Sequence, residues 1–141
     1  MLFITHPFEG EPPALVQERE RFAKFLTAHI QAYFPDEIVF NFPLNWILIR
    51  QELGLKTTQE ETVRKSIELM AKSDAIIILN FLGRELCHRS QMELQAAHRL
   101  DVPTVIFPFY RHRFEQQLKQ NALLADQKRV LNLLRANLQN S

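Results

Sequence analysis

The carboxylate of Glu93, the imidazole of His6 and the basic run of Arg84, His88 and Arg89 are the side chains best equipped for chemistry. Glu93 closes Ser90-Gln91-Met92-Glu93 at the head of an Ala-rich segment, where a helix dipole would keep a carboxylate ionised. An ionised carboxylate can attack an anomeric carbon and hold a glycosyl intermediate. The same four residues also fit a capping box, in which Ser90 caps a backbone donor and Glu93 reaches back to the cap residue. That signature recurs at Thr57-Thr58-Gln59-Glu60 and Thr58-Gln59-Glu60-Glu61, so both readings of Glu93 stand.

His6 could donate to a ligand oxygen or act as an acid near neutral pH; the alternative is a histidine bonded to a loop carbonyl. Phe8 could stack on a nucleobase or pack as rim or core. Asn45 carries an amide donor and acceptor suited to a base edge or a sugar hydroxyl, and would otherwise make an Asx turn or a helix cap. Trp46, the only tryptophan, either closes the site or packs. Asn80, Gly83, Arg84, Arg89 and Ser90 lie in the loop and helix start after the third apolar run. There Arg84, His88 and Arg89 with the helix N-terminus would suit a phosphate; the alternative, a solvated basic loop, is the more ordinary one. Cys87, beside them, lacks any partner motif for redox chemistry. The histidines at 6, 29, 88, 98 and 112 lack HxxxH or HExxH spacing, so no metal site and no cofactor are expected.

The elements that must position these groups alternate. Leu2–Thr5 reads as a short central strand, and Pro12-Pro13 opens a helix with apolar positions at Leu15, Phe22, Phe25, Leu26, Ile30 and Tyr33. Pro35-Asp36 ends it, and Ile38-Val39-Phe40 is the second strand. A short helix or lid over 41–56 ends at Gly54, and Thr57 or Thr58 caps a helix burying Val63, Ile67 and Met70. Residues 73–107 then make a βαβ unit, with apolar runs Ala75–Leu79 and Val102–Phe107 around the helix of Glu93. Pro108 to Arg113 turns outward, and 114–138 are read as helical, with a stripe of Leu123, Leu124, Val130, Leu131, Leu134 and Leu138. The alternation predicts a doubly wound α/β sandwich with a four- or five-stranded parallel sheet in the order 2-1-3-4 and a helical C-terminus. Ligands bind such folds at the switch point between strands one and three, bounded here by His6–Gly10 and Asn80–Arg89, with Pro43–Trp46 alongside.

Composition sets the class. An apolar fraction of 46% with 11 Phe excludes a disordered chain, and 141 residues fit one domain spanning 1–141. Lys+Arg of 17 against Asp+Glu of 16 gives +1, which offers no field for a nucleic acid polymer or a membrane surface. A lone cysteine, no apolar run of about 18 residues and no basic head with a signal-peptide core point to the cytoplasm. Three glycines, at 10, 54 and 83, argue against a glycine-rich phosphate loop, and no Gly-x-Ser-x-Gly elbow occurs. A phosphoacceptor receiver would want acidic residues after the first strand and an aspartate ending the third, where His6-Pro7 and Asn80 stand.

Four segments, FITHPFEG at 3–10, FPLNW at 42–46, VRKSIELMAKSDAIIIL at 63–79 and SQMELQAAHRLDVPTVIF at 90–107, resemble the nucleoside 2-deoxyribosyltransferase-like superfamily in order and spacing. The resemblance implies a flavodoxin-like (Rossmann-like) three-layer sandwich and a nucleoside or nucleotide ligand. In active members it implies cleavage or transfer of an N-glycosidic bond, with a glutamate nucleophile at the position of Glu93. Active relatives assemble, so a homo-oligomer is implied too. Two positions depart from the pattern: Ser66 stands where an assisting aspartate is found, and Arg89 where a small glycine-containing turn is found. Losing the carboxylate removes a general acid–base group worth about 10²–10⁴ in rate. The arginine narrows the pocket or turns it toward a phosphate. The rival readings are a non-catalytic module that binds a nucleotide derivative and an oligomerisation protein using the leucine stripe.

Overall fold

The structure, a computed structural model, describes residues 1–6, 13–54, 56, 58–80 and 88–139. Its strands are β1 (Leu2–Thr5), β2 (Val39–Asn41), β3 (Ala75–Asn80) and β4 (Thr104–Pro108), and they form one four-stranded sheet in the order β2-β1-β3-β4. Every pairing is parallel: Leu2 lies opposite Val39 and Ala75, Thr5 opposite Ile78, and Asn80 opposite Pro108. Among the described residues the helices are α1 (Pro13–Tyr33), α2 (Phe42–Leu53), α3 (Gln59–Ala71), α4 (His88–Leu100), α5 (Phe114–Gln120) and α6 (Ala125–Gln139), with a 3₁₀ turn over Arg111–Arg113. This is the doubly wound, flavodoxin-like α/β arrangement that the alternation predicts. Among the described residues no helix is long and apolar enough to cross a membrane.

Period-two alternation on the strands builds two cores. Leu2, Ile4, Ala75, Ile77, Leu79 and Phe107 face α1, α5 and α6, where they meet Phe22, Leu26, Ile30, Phe114, Leu131 and Leu134. Phe3, Ile76 and Ile78 face the other way, onto Phe42 of α2, Met70 of α3 and Ala96 and Ala97 of α4. Phe22 is the hinge of the first core, with ring centroids 3.9 Å from Phe109 and 4.5 Å from Phe114, the latter edge-on. Each such aromatic pair adds about 0.5–1.5 kcal/mol beyond the area it buries.

Several boundaries differ from expectation. The second strand is shifted by one residue, and Ile38 is exposed while Asn41 joins the ladder. The segment 114–138 is two helices, not one, because Asn121 adopts the left-handed conformation at φ 50° and caps α5. Asparagine tolerates that region better than other side chains with a Cβ. Gln127 then closes the break: its Oε1 accepts from Leu124 N–H (2.9 Å) and from Gln117 Nε2 (2.8 Å), and its Nε2 donates to the Pro108 carbonyl (2.9 Å). Leu123 therefore sits in the turn. With Leu131, Leu134, Val130 and Leu138 it packs into the first core, while Leu124 of the expected stripe is half-buried outside that cluster.

The last turn of α1 contains no basic residue of its own. Arg135 of α6 supplies one, donating from Nη2 to the Tyr33 carbonyl at 2.7 Å with its guanidinium 4.3 Å from the Tyr33 ring centre. One bond thus caps orphan carbonyls of α1 and fastens α6 to it. Arg135→Met, which keeps the stem and loses the fork, is expected to lower stability by about 1–2 kcal/mol. The check is a urea titration whose midpoint falls while its slope is unchanged; an unchanged midpoint would refute the capping role.

Candidate functional site

Two faces of a parallel sheet cannot take polar groups, so these collect at its C-terminal end. Thr5 and His6 end β1, and Asn41 ends β2; all are buried. Because α3 runs antiparallel to the strand it precedes, its first turn lies at this same end and brings Thr62 there, with Ser66 one turn below. The helix starts as the capping signature requires, with Thr58 Oγ1 accepting from Glu61 N–H at 3.1 Å. The buried ridge of α3 is Thr62, Ser66 and Met70, whereas Val63 and Ile67 are only half-buried. This corrects the apolar face expected from periodicity: beside the crevice the helix turns a polar edge inward.

Asn41 organises the β1–β2 side. Its Oδ1 lies 3.0 Å from His6 Nε2 and accepts from Leu44 N–H (3.2 Å), which makes it the N-cap of α2. Its Nδ2 donates to Thr27 Oγ1 (3.0 Å), which donates in turn to the Ala23 carbonyl (2.6 Å) inside α1. Asn45 Nδ2 donates back to the Asn41 carbonyl at 2.9 Å. The structure therefore brings His6 and Asn45 to one residue that sequence reasoning passed over. The available signal was Asn41 two positions before Pro43, an N-cap followed by a proline in the first turn.

Trp46 packs rather than standing as a lid. Its ring stacks on Phe42 (5.7 Å, 17°), and its Nε1 donates to Thr62 Oγ1 at 3.2 Å, tying α2 to α3. Asn80 ends β3; its carbonyl accepts from Phe109 N–H at 3.2 Å, which carries the β3–β4 ladder one step past Pro108. Ser66 Oγ donates to Met70 Sδ at 3.7 Å, both side chains being fully buried.

Glu93 is 1% exposed. Because α4 is helical from His88, Ser90 is its third residue and Glu93 its sixth. Ser90 is therefore not the cap expected from the box: the helix begins a turn nearer to β3, and Glu93 falls in the second turn. Its neighbours on the same face, Ala96 and Ala97, are 3% and 0% exposed, so the carboxylate sits on the packed side of the helix. Phe8, Gly83, Arg84 and Cys87 lie outside the described residues, and Arg89 and Ser90 are placed only as backbone in the first turn of α4. Among the described residues no group of three or more His, Cys, Asp or Glu could hold a metal ion.

The turn after β4 completes the described rim. Arg111 makes a two-pronged pair with Glu18 of α1 (3.1 and 3.0 Å), bracing the turn against that helix. A shallow depression of about 240 Å³ lined by Phe25, Ala28, His29, Ala32 and Asn121 lies on the α1 and α5 side, away from Glu93 and α3. It is separate from the crevice. No family model, no curated protein and no solved structure matches the chain. Fold and burial define the site at this level: a flavodoxin-like α/β sheet whose crevice end gathers buried polar side chains and, among the described residues, one buried acid, Glu93.

Tyr110 donates its hydroxyl to Asp126, and that bond, reinforced by burial, raises the phenol above its ordinary 10.0. A raised folded value means the contribution to stability is complete below about pH 10 and is lost as pH climbs through the folded value. Absorbance titration of the phenolate band is expected to show Tyr110 ionising late, and Asp126→Asn to bring it back toward 10.0. Identical titrations in the two proteins would overturn the assignment.

Proposed function

We propose that the protein binds a nucleoside or nucleotide-like ribosyl compound at the C-terminal end of the sheet and cleaves or transfers its N-glycosidic bond, with Glu93 as nucleophile. The burial of Glu93 carries this reading. A carboxylate on the packed face of a helix, beside Ala96 and Ala97, costs several kcal/mol to desolvate, where an apolar residue would stabilise more. Such a cost is typically retained where a site needs the charge. The resemblance of residues 3–10, 42–46, 63–79 and 90–107 to the nucleoside 2-deoxyribosyltransferase-like superfamily supports the same assignment.

In the first step a Glu93 carboxylate oxygen bonds to the anomeric carbon as the carbon–nitrogen bond breaks. The base leaves with the electron pair and takes a proton from solvent. In the second step water or an acceptor base attacks the anomeric carbon and gives up one proton to solvent, while the ester bond to Glu93 breaks and restores the carboxylate. His6 and Asn45, joined through Asn41, orient the sugar or base, and Arg84 or Arg89 takes a phosphate where one is present. One observation favours a second reading, a binding module without turnover. Ser66 is fully buried against Met70 sulfur and brings no carboxylate to assist the leaving base.

The deciding experiment incubates the protein with deoxynucleosides, deoxynucleoside monophosphates and NAD, with and without an acceptor base, and follows base release by chromatography. Release that falls at least about 100-fold in Glu93→Gln is the expected result. Unchanged substrates together with a ligand-dependent rise in melting temperature would instead select the binding module.

A further inference from the structure

The orientation of the Asn41 side chain is set at both ends by backbone groups that have no choice of role. Leu44 N–H can only donate, and it lies 3.2 Å from one end of the amide, which must therefore be the oxygen. The Ala23 carbonyl can only accept, and it takes the Thr27 hydroxyl proton at 2.6 Å. Thr27 Oγ1 must then accept from the other end of the amide, 3.0 Å away, which must be the nitrogen. The two ends agree. An amide flip would place two acceptors together at Thr27 and two donors together at Leu44.

The consequence falls on His6. Its Nε2 lies 3.0 Å from the same Asn41 oxygen, an atom that only accepts, so Nε2 carries a proton. We propose that Asn41 is a positioning residue of the crevice, holding the buried His6 imidazole in the Nε2–H tautomer. Under the proposed function His6 orients the sugar or base, and the bond to Asn41 fixes the ring with which it does so. The ligand part of this inference rests on the proposed function; the tautomer does not.

The test has two arms. On the ligand-free protein with ¹⁵N-labelled histidine, long-range ¹H–¹⁵N correlation at a pH where the ring is neutral is expected to give His6 a pyrrole-type Nε2 and a pyridine-type Nδ1. Asn41→Ser, which still caps α2 but is too short to reach the ring, is expected to lose that pattern to an averaged one. Asn41→Asp, which keeps the accepting oxygen, is expected to retain it. A pyridine-type Nε2 in the parent protein, or an unchanged pattern in Asn41→Ser, would overturn the proposal. In the second arm, 2′-deoxyadenosine affinity by calorimetry is expected to fall about tenfold in Asn41→Ser, the loss of one buried hydrogen bond, and to be largely kept in Asn41→Asp. Equal affinity in all three would overturn the positioning role. No binding by the parent protein would count against the proposed function alone, since the tautomer is read without ligand.

Discussion

Everything in this molecule is arranged around β1, a strand of four residues with essentially no exposed surface, hydrogen-bonded in parallel to β2 on one side and β3 on the other. Parallel neighbours cannot be joined by a tight turn, so each connection must be a crossover that lays a helix on one face of the sheet. The crossover to β2 uses α1 and covers one face; the route onward through α2 and α3 covers the other. With both faces dry, the sheet has room for polar side chains only at its ends. The winding reverses beside β1, so the strand that most needs covering also opens the crevice.

Most of the polar groups gathered at that end are there to close backbone. Gln127 joins the end of β4 to the α5–α6 turn, Thr58 caps α3, and Asn41 caps α2 while fastening α1 through Thr27. A buried amide bonded to backbone at both ends needs no ligand to account for it, since the alternative is an orphan donor at a helix start. Glu93 differs in kind. It lies in the second turn of α4, past the helix start, and its buried neighbours among the described residues of that face are Ala96 and Ala97.

The strands, their order and the winding were legible in the sequence because apolar runs bounded by proline, asparagine and glycine leave few topologies once crossovers are right-handed. The places that were not legible share a cause: a side chain's role there depends on a neighbour distant in sequence. Nothing local marks Thr62 and Ser66 as the inward edge of α3, because Val63 and Ile67 offer an equally regular apolar period one position away. Trp46 donating to Thr62 and Phe42 stacking on Trp46 decide which edge packs. Likewise the break at Asn121 is invisible in a run of helix formers, since it depends on Gln127 accepting from Leu124 and on the Pro108 carbonyl accepting from Gln127. Of the polar groups described at the crevice end, His6, Asn45 and Glu93 stand out in the sequence by residue type and position. Asn41 was passed over because it stands where the expected strand 38–40 gives way to the segment 41–56, and its partners His6 and Thr27 are distant in sequence.

The capping box at Ser90–Glu93 shows why a motif carries information only with its helix register. The box works when Ser is the first non-helical residue and Glu lies three positions on, at the exposed rim of the first turn. With the helix starting at His88, Glu93 lies in the second turn on the packed face, and the same four letters change from a surface device into a buried carboxyl group. Ser66, buried one helix away with a thioether as its hydrogen-bond acceptor, adds no second carboxylate on that side. A catalytic reading must therefore draw its chemistry from one carboxylate and a histidine, and a binding reading must explain why an acid was placed where alanine would pack. Both readings use the same crevice, and both require Glu93 to face the ligand rather than the backbone of its own helix.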